Sequence, residues 1–431
     1  MTTNNGQQAV TNSLQNQTIH RTVLKNGIVV LVAENPAADI IAARIFVKAG
    51  SCCEPKEQAG LAHLLSAVLT KGTPELSSFE IAERVESVGA SLSADAAADY
   101  FLLGLKTVSA DFPEILELAG QLLRSPTFPE VEVELERRLM LQHIRSQQEQ
   151  PFSIAFEQLR QAIYQNHPYA SSGLGWEPTV SQLTRADLQQ YHQTYFRPDN
   201  VVISLAGRVT LADAVTWVEK FFGDWQAPPT PLPTLILPAL KPQPYQTMTA
   251  QQTQQSVVML GYLAPAVQKA DYTALKLLAT YLGNGLSSRL FVELREKRGL
   301  AYDVSAFYPT RLEPAMFVVY IGTAPENTAI AMEGLLTEVN RLCSTQLSED
   351  NLQTAKNKLL GQYALGKQTN GQIAQGFGWY ETLGLGIEFD TRFQQQVTNV
   401  NATDAQQAAC RYLREPYISI VGPEGEWGIR R

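Results

Sequence analysis

Apolar and polar residues alternate along TVLKNGIVVLVAEN, and Asn26-Gly27 interrupts the run. That pattern predicts two strands joined by a hairpin turn. DIIAARIFVKAG and SVVMLGYLA read as further strands, each followed after a loop by an apolar helical stretch. PEVEVELERRLMLQHIRSQQEQ and NTAIAMEGLLTEVNRLC read as long helices. Hairpins interleaved with packed helices predict an α+β fold, each sheet mainly antiparallel and covered by helices.

The pattern breaks at APPTPLPTLILPALKPQP, residues 227–244, which holds seven prolines. Such a stretch forms no helix and resists central strands, so it reads as an extended connector. The expected organisation is a flexible tail at 1–20, a first domain at 21–226, a linker at 227–245 and a second domain at 246–431. The two domains end alike, in TRADLQQYHQTYFRPDNVVISLAG and NATDAQQAACRYLREPYISIVG. Thr184 matches Asn401, Asp187 matches Asp404, Gln190 matches Gln407, Tyr195 matches Tyr412 and Arg197 matches Arg414. Each copy reads as a capping residue, an Asp three positions on, a helix and then a strand reaching Gly207 or Gly422. Internal duplication of one domain accounts for this.

Composition narrows the function. With 431 residues, 45% of them hydrophobic, the chain has material for several packed units. Its charge of −8 comes from 34 basic and 42 acidic residues without a basic cluster, which argues against a nucleic-acid partner. No run of eighteen apolar residues occurs, so no membrane span is expected. The first residues are polar, lack a basic-then-apolar leader pattern and read as a solvated tail as far as His20. Cys52, Cys53, Cys343 and Cys410 show no CxxC spacing, which fits reduced thiols in a cytoplasmic protein.

The candidate chemistry begins at EQAGLAHLLSAVLTKGT, residues 57–73. On a helix, positions 63, 66 and 67 share one face. An inverted zinc motif, H-x-x-E-H, uses that geometry: two His hold the metal and the Glu activates water. Here the positions hold His63, Ser66 and Ala67, so one ligand remains while the base and the second ligand are absent. His20, His167 and His192 have no partner at ligand spacing and read as surface or helix positions. No G-x-S-x-G elbow, Cys/His protease signature or P-loop is present.

In NGLSSRLFVELREKRGLAYDVSAFY, Ser287 or Ser288 can cap a short helix whose apolar face carries Leu290, Phe291 and Leu294. Gly299 stops it after Lys297 and Arg298. Arg295 then lies late in the helix and Tyr302 at the start of a strand. By itself such a pair reads as a solvated helix face and a packing tyrosine.

GLAHLLSAVLTKGT resembles the Gly-x-His-x-x-Glu-His…Lys-Gly-Thr segment of the pitrilysin and mitochondrial-processing-peptidase family of zinc metallopeptidases. The resemblance is to its two-domain bacterial branch and covers nearly the whole chain after residue 20. The family takes a third ligand, a Glu, from a later helix, with another Glu seven residues before it. Glu136 matches the earlier Glu, and His143 stands at the ligand position. The resemblance thus implies a vestigial set of His63, Ser66, Ala67, Glu136 and His143. It leaves two imidazoles, short of the three or four ligands that zinc sites use. Arg295, Gly299, Leu300 and Tyr302 match the family's Arg-x-x-x-Gly-Leu-x-Tyr. The role implied for Arg295 and Tyr302 is to bind the peptide backbone and steady the oxyanion opposite the zinc. GASLSADAAADYFLLGLKTV resembles the family's edge strand, to which an extended peptide adds as another strand, here at Ala94, Asp95, Ala96 and Ala97.

The resemblance implies the non-zinc-binding subunit of a heterodimer, itself without a cofactor. A homologous zinc-bearing subunit would supply the metal, and the substrates would be peptides. Two rival readings are a structural subunit like the core proteins of the bc1 complex and a peptide-binding homodimer without hydrolysis.

Overall fold

Seven strands build the first sheet: β1 (Gln8–Asn12), β2 (Gln17–Val23), β3 (Val29–Glu34), β4 (Ile40–Val47), β5 (Ser91–Ala96), β6 (Phe101–Val108) and β7 (Val201–Gly207). The structure, a computed structural model, describes residues 8–12 and 17–424. Spatial order is β1-β2-β3-β7-β4-β6-β5, antiparallel except between β3 and β7. Gly27 makes the turn between β2 and β3 at φ +97°, as Asn-Gly predicts. The expected tail is corrected here: residues 8–12 pair with 17–21 as a strand ladder, because backbone bonding to an open sheet edge needs no apolar side chains. The remainder of that tail, 1–7 and 13–16, lies outside the described residues.

The second sheet holds β8 (Gln246–Ala250), β9 (Ser256–Ala264), β10 (Asp303–Phe307), β11 (Ala315–Thr323) and β12 (Tyr417–Gly422), in the order β10-β11-β9-β12-β8. Only β12 and β8 run parallel. The sheets are mixed and helix-covered, an α+β architecture. The duplicated ends fold alike. Thr184 and Asn401 form capping boxes with Asp187 and Asp404, and the strands after those helices end at Gly207 and Gly422.

Two compact units result, and their boundaries cross the linker. Unit one comprises 1–144, 171–236 and 364–392; unit two comprises 145–170, 237–363 and 393–431. The helices needed here are α1 (Leu61–Val68), α2 (Ser78–Ser87), α3 (Phe112–Arg124), α4 (Glu130–Gln147) and α5 (Pro151–Tyr164). Helix α5 lies on β9 and β12 of the second sheet, and the later helix Asn370–Thr382 lies on β4 and β7 of the first. Each half of the sequence therefore lends the other sheet one covering helix. The linker is tied at both ends: Arg197 donates to the carbonyls of Pro228 and Thr230, and the Gln243 N–H donates to the Tyr417 hydroxyl.

The reduced-thiol reading needs correction for one pair. Cys343, on the helix Thr328–Ser344, is disulfide-bonded to Cys410, on the helix Ala402–Tyr412. Packing of those two helices brings together residues 67 positions apart, which spacing in the sequence does not reveal. Cys52 and Cys53 carry free thiols.

Candidate functional site

Helix α1 starts from a fixed point. Gly60 sits at φ +101°, and a side chain there would meet the Leu174 carbonyl at 2.7 Å. The Glu54 carboxyl accepts the N–H groups of Gly60 (2.9 Å) and Ala62 (2.5 Å), so it caps donors that a helix N-terminus leaves open. On the helix, Leu61, Ala62, Leu64, Leu65 and Val68 enter the core, while His63 and Ala67 are half-buried. Ser66 is buried and donates from Oγ to the His63 carbonyl at 2.7 Å. Its hydroxyl is thereby turned along the helix.

Helix α4 brings the other residues of the set. The electrostatic neighbours of His63 include Asp95, His143 and Glu136, so the separate segments that carry these residues converge. Burial holds the His63 imidazole below its ordinary pKa; Asp95 opposes the shift, His143 adds to it and Glu136 opposes it. Glu136 is paired with Lys71 at 2.8 Å. Lys71 belongs to the Lys-Gly-Thr segment at the end of the α1 region. That match is legible in the sequence; the residue's role as the partner of Glu136 is not.

The donor set does not fit a zinc site. Ser66 is turned away, Ala67 offers no donor, and among the described residues no group of three or more His, Cys, Asp and Glu is disposed to hold a metal ion. The structure thus assembles the vestigial positions without assembling a ligand set.

Strand β5 runs beside α1 and is the last strand of its sheet, bonded on one side to β6. Ala94, Asp95 and Ala96 lie on it, and Ala97 follows in the turn. The Asp95 carboxylate accepts the Ala96 N–H at 2.8 Å. The turn is fastened where the Ala97 and Ala98 carbonyls accept the N–H groups of Ser51 and Cys52. An open edge beside α1 suits a strand-adding peptide.

In unit two, residues 289–296 are helical, and Phe291–Glu296 winds as a π-helix. Such winding is rare and recurs at functional sites. The predicted serine cap is not formed. A turn closed by the Ser288 N–H and the Gly285 carbonyl precedes the helix, and Ser288 Oγ is buried without a partner among the described residues. Leu290 and Leu294 are buried, and Gly299 ends the segment at φ +61°. Arg295 is exposed, with its guanidinium 5.0 Å from the centre of the Phe291 ring. Tyr302 is 60% exposed, and its N–H is held by the Gly322 carbonyl at 2.8 Å.

The segment is braced by residues that the sequence reading did not single out. Arg289 binds Glu338 on the helix Thr328–Ser344 at 2.7 Å and Glu293 at 2.8 Å, and Glu293 also pairs with Lys297. The i, i+4 spacings were visible in the sequence; the contact to Glu338 was not. Of the remaining histidines, His167 and His192 are buried, and His192 lies on the helix Arg185–Tyr195.

Residues 29–175 match the family model described as insulinase, peptidase family M16, and residues 182–359 match the model described as peptidase M16 inactive domain. A protein named as an uncharacterized zinc protease of Mycobacterium bovis is 29% identical over 413 residues, 94% of this chain and 93% of its own. A Bacillus subtilis protein of the same description is 26% identical, covering 94% of this chain and 99% of its own. Two solved structures share the fold at TM-score 0.88. One is a peptidase M16 inactive domain from Pseudomonas fluorescens, 24% identical and covering 94% of this chain and 98% of its own. The other is a protease from Helicobacter pylori, 22% identical and covering 94% and 99%.

Proposed function

The chain belongs to the M16 peptidase family, also called the pitrilysin family, and on that premise we propose that it is the non-metal-binding subunit of a heterodimeric zinc metallopeptidase. The observation that carries this reading is a contrast between two elements. The α1/α4 cluster has its positions in place and lacks the donors, whereas Arg295 and Tyr302 extend exposed from a braced segment.

In this reading a homologous subunit with an intact H-x-x-E-H holds the zinc and its water, and supplies the metal's Lewis acidity. This chain contributes donors. The Arg295 guanidinium and the Tyr302 hydroxyl bind the peptide backbone and stabilise the oxyanion, a task for preorganised hydrogen-bond donors. Ser66 cannot act as the base that such hydrolysis needs. The open edge of β5 supports retained peptide binding, which also suits the alternative of an inert peptide-binding subunit.

Co-expression with a homologue that bears the full zinc motif tests the proposal. The expected result is a co-purifying pair that cleaves a peptide, while this chain alone does not. A chain that recovers only itself, and leaves the homologue's activity unchanged on mixing, would contradict it.

A further inference from the structure

Residues Ser51–Cys53 form a single 3₁₀ turn that places two adjacent thiols together, with Cys52 Sγ 3.7 Å from Cys53 Sγ. Among the described residues they are the only free thiols, because the other two cysteines are bonded to each other. Cys52 is buried and Cys53 half-buried. The turn is a junction. Ser51 and Cys52 donate their N–H groups to the Ala97 and Ala98 carbonyls at the end of β5. Tyr191 donates to the Gly50 carbonyl (2.9 Å) and Tyr195 to the Cys53 carbonyl (3.3 Å). The next residue, Glu54, caps α1.

We propose that Cys52 and Cys53 are a reversible redox site, oxidised by hydrogen peroxide to a disulfide between adjacent residues, and that its state controls the anchoring of β5 and α1. Cys53 is the attacking sulfur. It is the more accessible of the two, and the hydrogen bond from Cys52 favours its thiolate, while the same bond and burial disfavour that of Cys52. The Cys53 thiolate takes one oxygen from the peroxide, which leaves as hydroxide. Cys52 then attacks the sulfenic sulfur and forms the S–S bond; its proton leaves with the sulfenic oxygen as water. Two thiols and one peroxide give one disulfide and two waters. A nucleophilic thiol beside a resolving thiol is the arrangement that such sensors use.

Geometry makes the step consequential. A disulfide requires sulfurs roughly 2.05 Å apart, and it usually joins Cα atoms at least about 4.4 Å apart. Adjacent Cα atoms lie about 3.8 Å apart. Closing the ring therefore twists the turn, whose N–H groups at Cys52 and Cys53 hold Ala98 and Gly50. Strain of that kind also favours reduction, so the change is reversible.

The test uses the full purified chain, treated with one equivalent of hydrogen peroxide. Thiol counting in denaturant should fall from two free thiols to none, in a monomer whose peptide carrying both cysteines has lost two hydrogens; dithiothreitol should restore it. Amide exchange at 91–98 and 60–68 should quicken, by roughly tenfold, in the oxidised chain. With Cys52→Ser, a sulfenic acid at Cys53 should instead be trapped by dimedone. Oxidation that ends in sulfinic acid or in a bond between chains would overturn the proposal. So would an internal disulfide that leaves exchange at β5 and α1 unchanged.

Discussion

Ser66 and Ala67 stand where a base and a ligand would be needed, and the cost of that is local. Restoring Ser66→Glu, Ala67→His and His143→Glu together should give a chain that holds about one zinc per polypeptide. Burial already shifts the His63 imidazole toward the neutral form that a ligand requires. Metal analysis decides this: a folded triple variant that stays zinc-free would show that more than donors has been lost. A second residue-scale outcome concerns pH. His192 Nε2 donates to the Leu123 carbonyl at 2.8 Å, and burial lowers its pKa from the ordinary 6.5 to about 4. The unfolded chain binds the proton near pH 6.5 and the folded chain does not. The stability tied to the neutral ring is therefore present above pH 6.5 and lost as pH falls toward 4, by on the order of 3 kcal/mol. His192→Gln should flatten that slope in denaturation curves between pH 7 and 4, and an unchanged slope would assign the loss to other groups. The face shared by positions 63, 66 and 67 was legible because helical spacing fixes it. The pairing of Lys71 with Glu136 was not, because a charge pattern does not name its partner.

At the scale of elements, the hairpin at Asn26-Gly27, the strands β4 and β9, the helix α4 and both capping boxes could be read directly, since each depends on local residue order. The exchange of covering helices could not. The apolar face of α5 fits either sheet as far as local pattern goes; two close approaches in the packed structure decide. A Cβ on Gly261 of β9 would lie 2.7 Å from Ile163 Cδ1 and 2.9 Å from both Leu159 Cδ atoms of α5. A Cβ on Gly378 of the helix Asn370–Thr382 would lie 2.4 Å from Phe46 Cε2 and 2.9 Å from Ser204 Cβ. These glycines let helix and sheet approach closely. Gly378→Ala should cost about 1–3 kcal/mol through overpacking, measured by chemical denaturation. A variant as stable as the parent would mean that the helix can lift off its sheet without penalty. The serine cap predicted before Arg289 failed for a related reason: the turn at Gly285 supplied another start, and Ser288 was taken into the core.

For the whole molecule, the linker is one boundary between the packed units but not the only one, because 145–170 and 364–392 also change sides. Cutting there should leave each fragment with a sheet that lacks one helix. The separate halves, 1–236 and 237–431, should bind an apolar dye and recover a native spectrum when mixed. Two halves that fold independently would contradict the exchange. No described helix is long and apolar enough to cross a membrane. The proposal for the chain as a whole is that it lends Arg295 and Tyr302 to chemistry performed on a partner's zinc. The most direct test is the turnover of the reconstituted pair carrying Tyr302→Phe in this chain and an unaltered zinc subunit. Loss of one oxyanion donor should lower kcat by about 10²–10³-fold, with zinc content and pair formation unchanged. A mutant pair that turns over at the parental rate would contradict the account.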